Sequence, residues 1–146
     1  MAPIEVTPME PCPFCEYLAG RTKCAFVSRG ERVSAFMNRA QYERGALLLV
    51  PNMHVESMLE MDADLVADLY REAHRLASVL VPLLGANGLG VYQNNGTSAG
   101  QTVPHFHVHV IPRYATSDPL RRFKDEDFPE TGFEELERLA TLIRFK

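Results

Sequence analysis

Tryptophan is absent from this chain of 146 residues, and so is any unbroken run of 18 apolar residues. An α-helix needs about 20 consecutive apolar residues to cross a bilayer, so the sequence predicts no membrane-spanning helix. The first residues, MAPIEVTPMEPCPF, include neither the basic region nor the apolar stretch of a secretory signal. We therefore expect a cytoplasmic protein with no membrane partner.

Positive charge is also in short supply. The chain has 15 lysines and arginines against 19 aspartates and glutamates, which gives a formal net charge of −4. Proteins that bind nucleic acids do so largely by neutralising phosphates with lysine and arginine. The charge balance therefore argues against a nucleic-acid partner, but it leaves room for a small anion held by local groups.

Cysteine is limited to three residues, too few for the disulfide framework of a small secreted domain. Cys12 and Cys15 stand in the motif CPFC, which is typical of half a structural zinc site or of a redox dithiol. A thioredoxin-like dithiol follows a strand, and the preceding VTPMEP lacks a strand pattern. We favour a metal, whose other ligands would come from His54, His74 or His105.

The hydrophobic pattern predicts an α+β fold in a single domain that spans residues 1–146. Apolar residues at three- and four-residue steps predict a long helix from the N-cap Asp62 to the stop at Gly85, which Pro82 should bend or end early. Short apolar segments predict five strands, at 24–28, 32–37, 46–50, 89–93 and 105–112.

The C-terminal part of the chain has a different pattern. Residues 115–130 are polar and irregular, and Thr131 with Glu134 has the spacing of a capping box. We therefore expect a core within residues 12–113, followed by an extension at 114–146 that contains a final helix.

Three of the five histidines alternate in the segment GQTVPHFHVHVIPR, at His105, His107 and His109. In an extended strand these positions share one face, each about 6.6 Å from the next, and Phe106 and Val108 then point into the core. Packing gives no reason to place three titratable rings on one face. The pattern predicts a chemical site: three ligands of a metal, or a nucleophilic imidazole with helpers.

The loop that precedes these histidines contains Gly96 and Gly100. Glycines let backbone N–H groups converge on phosphate oxygens and hold them without lysine. This loop is a candidate anion site for an acidic chain.

The run HFHVHVI resembles the His-x-His-x-His signature of the histidine triad (HIT) superfamily of nucleotide hydrolases and transferases. The resemblance continues back through AFMNRAQYERGALLLVPNMH and covers roughly residues 12–113. The stretch SAGQTVPHFHVHVIPR is most similar to the fragile-histidine-triad branch, which cleaves dinucleoside polyphosphates. The resemblance implies a HIT-like fold, an antiparallel sheet of about five strands with one long helix and a C-terminal helix.

The resemblance also implies a reaction. Dinucleoside polyphosphates or related nucleoside phosphoryl compounds would be cleaved at the α-phosphate through a covalent nucleotidyl-histidine intermediate. His107 would be the nucleophile, and His109 would lie beside the leaving oxygen as a hydrogen-bond or proton donor. The implied substrate contacts are Asn38, Asn94, Gly100, Gln101, Thr102 and His109.

Some prokaryotic members of this superfamily hold a structural zinc. Their ligands are a Cys-x-x-Cys pair, the histidine of a Pro-x-x-His segment and the first histidine of the triad. The corresponding positions in this chain are Cys12, Cys15, His54 and His105. The expected cofactors are therefore a structural Zn²⁺ and a divalent cation that accompanies the substrate.

Two other functions stay open at this point. One is a metallohydrolase whose catalytic zinc is bound by all three triad histidines, although consecutive positions on a strand face extend over about 13 Å. The other is a nucleotide-binding or adaptor protein without turnover. The resemblance further implies that the protein is a homodimer. Its other partner would be a small molecule, the nucleotide substrate.

Overall fold

Five antiparallel strands form the centre of the computed structural model, which describes residues 4–146. Their order across the sheet is β1-β2-β3-β5-β4. Each predicted strand is present, with bounds that differ by a few residues. The strands are β1 (Phe26–Arg29), β2 (Val33–Met37), β3 (Leu47–Pro51), β4 (Gly88–Tyr92) and β5 (Val108–Arg113).

The histidine strand begins later than predicted. β5 starts at Val108, so the expected start at His105 is wrong. The backbone N–H of His105 donates to Val103 O at 2.8 Å, and that of Phe106 donates to Val55 O at 2.7 Å. Because these amides bond outside the neighbouring strand, the segment that leads into β5 cannot join the ladder.

The long helix, α2 (Ala63–Leu84), is confirmed with both of its predicted ends. Asp62 is the N-cap, and its carboxylate accepts a hydrogen bond from the Leu65 N–H at 2.8 Å. Gly85 ends the helix with φ +66°, a conformation that glycine adopts without strain. Pro82 does not end the helix early, because in the last turn it removes a single donor from the helical ladder.

Two shorter helices flank the sheet. α1 (Pro13–Leu18) was not predicted, whereas α3 (Phe133–Arg144) was. The predicted capping box of α3 is wrong: Gly132 is the N-cap, and no side chain bonds there. Thr131 is instead held outside the helix, since its N–H donates to Arg39 O at 2.9 Å.

The two faces of the sheet have different roles. Helices α2 and α3 cover one face and enclose the main core, in which Phe106, Val108 and Val110 are fully buried as the alternation predicted. On the other face a smaller apolar cluster forms under α1, consisting of Cys12, Phe14, Tyr17, Phe36, Leu48 and Val50. The histidine side chains therefore belong to the thinly covered face.

Among residues 4–146, no helix combines the length and apolar character needed to cross a bilayer, in agreement with the sequence.

Candidate active site and metal centre

A cavity of about 900 Å³ opens on the sheet face that carries α1. Its apolar wall comes from the cluster under that helix, including Phe14, Phe36 and Leu48. His107 and His109 line the same cavity. An apolar wall beside two imidazoles suits a ligand with both a flat ring and a polar group.

His107 is buried, with 8% of its surface exposed, and its ring is fixed from two sides. Its Nδ1 lies 2.7 Å from His105 O, so Nδ1 carries the proton and donates it to that carbonyl. The Phe14 ring packs edge-on against the imidazole, with centroids 5.2 Å apart. Burial lowers the pKa of His107, with the hydrogen bond to His105 opposing. The neutral imidazole therefore keeps a lone pair on Nε2.

His109 stands next to His107, with ring centroids 5.0 Å apart. Burial, followed by the neighbouring His107, lowers the pKa of His109 to about 3. The ring is therefore neutral near pH 7. Its Nδ1 is buried without a hydrogen-bond partner in the described chain, and so is Nδ2 of Asn38. Such unpaired nitrogens in a cavity wall are typical of sites that engage a polar ligand.

The other predicted substrate contacts divide into two groups. Asn38, Asn94, Gly100 and Thr102 line the cavity with the histidines. Gln101 does not, since it is 3% exposed and its amide is used inside the protein. Its Nε2 donates to Glu56 O and Val103 O, and its Oε1 accepts from the Gly96 N–H at 2.7 Å. This geometry gives Gln101 a supporting position under the glycine loop.

The second predicted constellation is assembled as well. The ligand atoms of Cys12, Cys15, His54 and His105 all lie within 4.8 Å of one another. Nδ1 of His105 is 3.4 Å from the Cys12 sulfur, and Nδ1 of His54 is 3.3 Å from the Cys15 sulfur. A tetrahedral zinc with two sulfur and two nitrogen ligands needs this donor set at separations of about 3 to 4 Å. His74, the remaining candidate, is exposed on α2.

The surroundings of this cluster also fit a metal. Nε2 of His105 lies 2.9 Å from Pro51 O, which fixes the tautomer and leaves Nδ1 free to ligate. Burial lowers the pKa of His105 to about 4, so the ring is neutral. Burial and the adjacent Cys12 thiol raise the pKa of Cys15 to about 11. Zinc binds cysteine as the thiolate and histidine as the neutral ring, so this set of donors fits zinc.

CPFC adopts a specific local structure. Cys12 is the N-cap of α1, and its sulfur accepts from the Cys15 N–H at 3.4 Å. A helix thus opens at the first cysteine, but no strand precedes it within residues 4–11. A thioredoxin-like dithiol needs both a preceding strand and a helix that opens at the first cysteine, and within the described residues only the helix is present here.

A model of the HIT domain matches residues 19–116 of this chain. The chain belongs to the HIT family. "Protein hit" of Bacillus subtilis is 31% identical over 140 residues, which cover 90% of this chain and 97% of that protein. A Zn-bound histidine triad family protein from Mycobacterium smegmatis superposes with a TM-score of 0.77, at 26% identity over 92% of this chain and 91% of that one.

Two relatives in Schizosaccharomyces pombe have names that describe hydrolases. Adenosine 5'-monophosphoramidase hnt1 is 30% identical over 102 residues, covering 70% of this chain and 74% of that protein. The asymmetrical bis(5'-nucleosyl)-tetraphosphatase is 30% identical over 107 residues, covering 72% of this chain and 53% of that protein. This HIT chain is thus similar to enzymes that act on nucleotide phosphorus bonds.

One part of the cavity was missed by sequence reasoning. Tyr42 stacks on Phe123, with centroids 5.0 Å apart and planes 10° apart, and Phe128 packs edge-on against it at 5.2 Å. Tyr42 also faces the His109 ring at 6.1 Å. Phe123 and Phe128 lie in the polar segment 115–130, whose composition gave no sign that it reaches the HIT cavity. The two phenylalanines among charged residues were the only available signal.

Proposed function

We propose that this HIT protein is an enzyme that cleaves nucleoside phosphoryl compounds at the α-phosphate and carries the nucleotide on His107 during turnover. The observation that carries this proposal is the hydrogen bond from His107 Nδ1 to His105 O, which leaves Nε2 as the free nitrogen of that cavity-lining ring. The names of the two yeast relatives support the substrate class.

The proposed reaction has two displacements. In the first, the Nε2 lone pair of His107 attacks the α-phosphorus, an N–P bond forms, and the bond from phosphorus to the leaving group breaks. The leaving atom keeps the bonding electrons and accepts a hydrogen bond from the N–H of neutral His109, and any proton that it takes comes from solvent. In the second, water attacks phosphorus, releases a nucleoside monophosphate and a proton, and restores His107. Two displacements replace one difficult step.

Substrate binding in this proposal uses both the apolar wall and the polar groups of the cavity. The base packs on the apolar wall under α1, and Asn38 binds the ribose at the end of β2. Asn94, Gly100 and Thr102 hold the phosphate, while Gln101 supports their loop through its three internal hydrogen bonds. The proposal keeps a divalent cation that accompanies the phosphates of the substrate.

The proposal includes a structural zinc on Cys12, Cys15, His54 and His105. Zinc there would tie the start of α1 to the segment before β5, and it would supply rigidity, not chemistry. The Mycobacterium smegmatis structure, described as Zn-bound, supports this assignment. A metallohydrolase with all three triad histidines on one ion is disfavoured, because His105 turns toward the cysteines and the other two line the cavity.

Trapping the intermediate tests the proposed function. The protein is mixed with diadenosine tetraphosphate or adenosine 5′-phosphoramidate, quenched in acid-free denaturant within milliseconds, and measured by intact-mass and peptide mass spectrometry. We expect an added adenylyl group on the peptide that contains His107. The His107→Asn variant should show none.

The two alternatives give different results in that experiment. A direct attack by water, as in a metallohydrolase, produces nucleoside monophosphate without any protein adduct. A binding or adaptor protein produces neither adduct nor product. Either result would refute the proposed function.

We also propose that the enzyme acts as a cytoplasmic homodimer, joined at the β4 edge. β4 is a terminal strand of the sheet, and Val91 and Tyr92 on it are each more than 40% exposed. The opposite edge, β1, is covered by α3, whose Arg144 donates to Phe26 O. Unpaired strand edges favour pairing with a second chain. Sedimentation equilibrium should give twice the chain mass of 16.4 kDa, and a Val91→Lys variant should be monomeric.

A further inference from the structure

The segment 118–130, here called the C-terminal strap, crosses the mouth of the HIT cavity and is attached at both ends. At its start, a guanidinium N–H of Arg113 donates to Asp118 O. At its end, Glu130 forms a β-bridge with Ala40. Between these points, Tyr42 stacks on Phe123 and donates its hydroxyl hydrogen bond to Asp125. The strap is therefore part of the cavity wall.

Three cationic side chains of the strap line the cavity, and they differ in what they contact. Arg121 lies over the Phe128 ring at 4.7 Å, so it is engaged within the strap. Lys124 also lines the cavity. Arg122 makes no ion pair with any residue in the part of the chain that the structure describes. Its charge is available to a ligand.

The Arg122 guanidinium points to one place in the cavity, the glycine loop. A methyl group added at Gly100 would lie 3.9 Å from Arg122 Nη2 and 3.5 Å from Asn94 Nδ2. Glycine has no side chain to fill this space, and φ +94° disfavours any other residue at position 100. A planar donor, an amide N–H₂ group and the loop thus converge on a volume that suits a phosphate group.

Acidic groups in the cavity lining only partly offset this charge. Glu130 pairs with Arg39 at 3.7 Å, whereas Asp125 keeps its charge because its partner, the Tyr42 hydroxyl, is neutral. Glu126 is the third acidic residue of the cavity lining. The lining sets four cations, Arg39, Arg121, Arg122 and Lys124, against these three acids, so its formal charge is +1 in a chain of net charge −4.

We propose that Arg122, presented by the C-terminal strap, binds a phosphate of the leaving group and so makes this enzyme selective for substrates with a phosphorylated leaving group. The inference rests on the proposed function. The α-phosphate stays on His107 in the first displacement, so any further phosphate belongs to the group that leaves. A dinucleoside tetraphosphate releases a nucleoside triphosphate, whereas a phosphoramidate releases ammonia, which offers nothing to an arginine.

The test is the ratio of kcat/KM for diadenosine tetraphosphate to that for adenosine 5′-phosphoramidate. Loss of a charge-assisted hydrogen bond to phosphate should lower the first value by about ten-fold or more in Arg122→Gln, and change the second by less than about two-fold. Arg122→Lys should recover part of the loss, since lysine keeps the positive charge but lacks the planar set of N–H donors of arginine. Arg138→Gln, an exposed site on α3 outside the cavity, is the matched control and should change neither.

A binding measurement separates this inference from the proposed function. In a His107→Asn background, which has no nucleophile, titration calorimetry gives affinities for diadenosine tetraphosphate and AMP. Adding Arg122→Gln should weaken only the former, by about ten-fold. Equal losses for both ligands, or no loss for either, would overturn the role of Arg122. A different outcome is that the wild-type protein forms no adduct at His107, while Arg122→Gln still weakens binding of diadenosine tetraphosphate alone. That outcome would overturn the proposed chemistry but support the phosphate site.

Discussion

Alanine in place of His107 should lower kcat/KM for nucleoside phosphoryl substrates by at least about 10³-fold, the scale seen when a covalent nucleophile is removed. The imidazole is neutral and oriented by the carbonyl of His105, which leaves its Nε2 lone pair free in a ring that lines the cavity. In the proposed reaction His109 serves the leaving group from beside the first ring, with ring centroids 5.0 Å apart, and does not take over the attack. Initial rates with diadenosine tetraphosphate and with adenosine 5′-phosphoramidate check this expectation.

Folding must be controlled in that measurement, because His107 is buried and packs against Phe14. His107→Asn keeps a polar group that can bond to His105 O, so it tests activity at smaller structural cost. His74→Ala, on the exposed side of α2, is the matched control and should keep wild-type rates. Near wild-type turnover in a folded His107→Asn protein would contradict the assignment.

Removal of the two CPFC thiols has the largest expected effect on stability. The Cys12→Ser, Cys15→Ser double variant should lose one equivalent of zinc per chain, measured by atomic emission. We expect its free energy of unfolding to fall by several kcal/mol, on the order of the contribution of structural zinc sites. α1 and the segment before β5 would lose their link. Urea unfolding followed by circular dichroism checks the magnitude.

Cys24→Ser provides the control, because this third cysteine lies outside the cluster. It should keep both the zinc and the unfolding midpoint. Chelation of the wild-type protein adds a kinetic criterion. A structural zinc leaves slowly, and activity falls in step with unfolding. Immediate loss of activity on a still folded protein would point to a catalytic metal.

The features that the sequence predicted well are encoded locally. α2 follows from its apolar stripe and from Asp62 and Gly85 at its ends, all within 24 residues of chain. The alternation around the triad predicted which side chains pack in the main core, even though the strand itself begins at Val108. The cysteine-histidine cluster came from motif spacing together with family resemblance, since its members are up to 93 residues apart.

The features that the sequence did not predict depend on distant contacts. Tyr42 and Asp125 are 83 residues apart, and Asp125 lies outside the stretch that carries the family resemblance, so no sequence motif indicates that the strap meets the cavity. The same holds for Gln101, whose amide binds Glu56 O across 45 residues. The pair Thr131 and Glu134 is the opposite case. Its spacing predicts a capping box, but the hydrogen bond from the Thr131 N–H to Arg39 O keeps Thr131 outside the helix.

His105 contributes to both the cysteine-histidine cluster and the cavity. Its imidazole stands with the thiols, while its carbonyl oxygen holds the tautomer of the next triad histidine. A substitution at this position therefore changes the side chain without removing the peptide group, whereas a shift of its backbone disturbs both sites together. A change in the cysteine-histidine cluster must therefore preserve the path of the main chain here, because the orientation of the His107 ring depends on this one peptide unit.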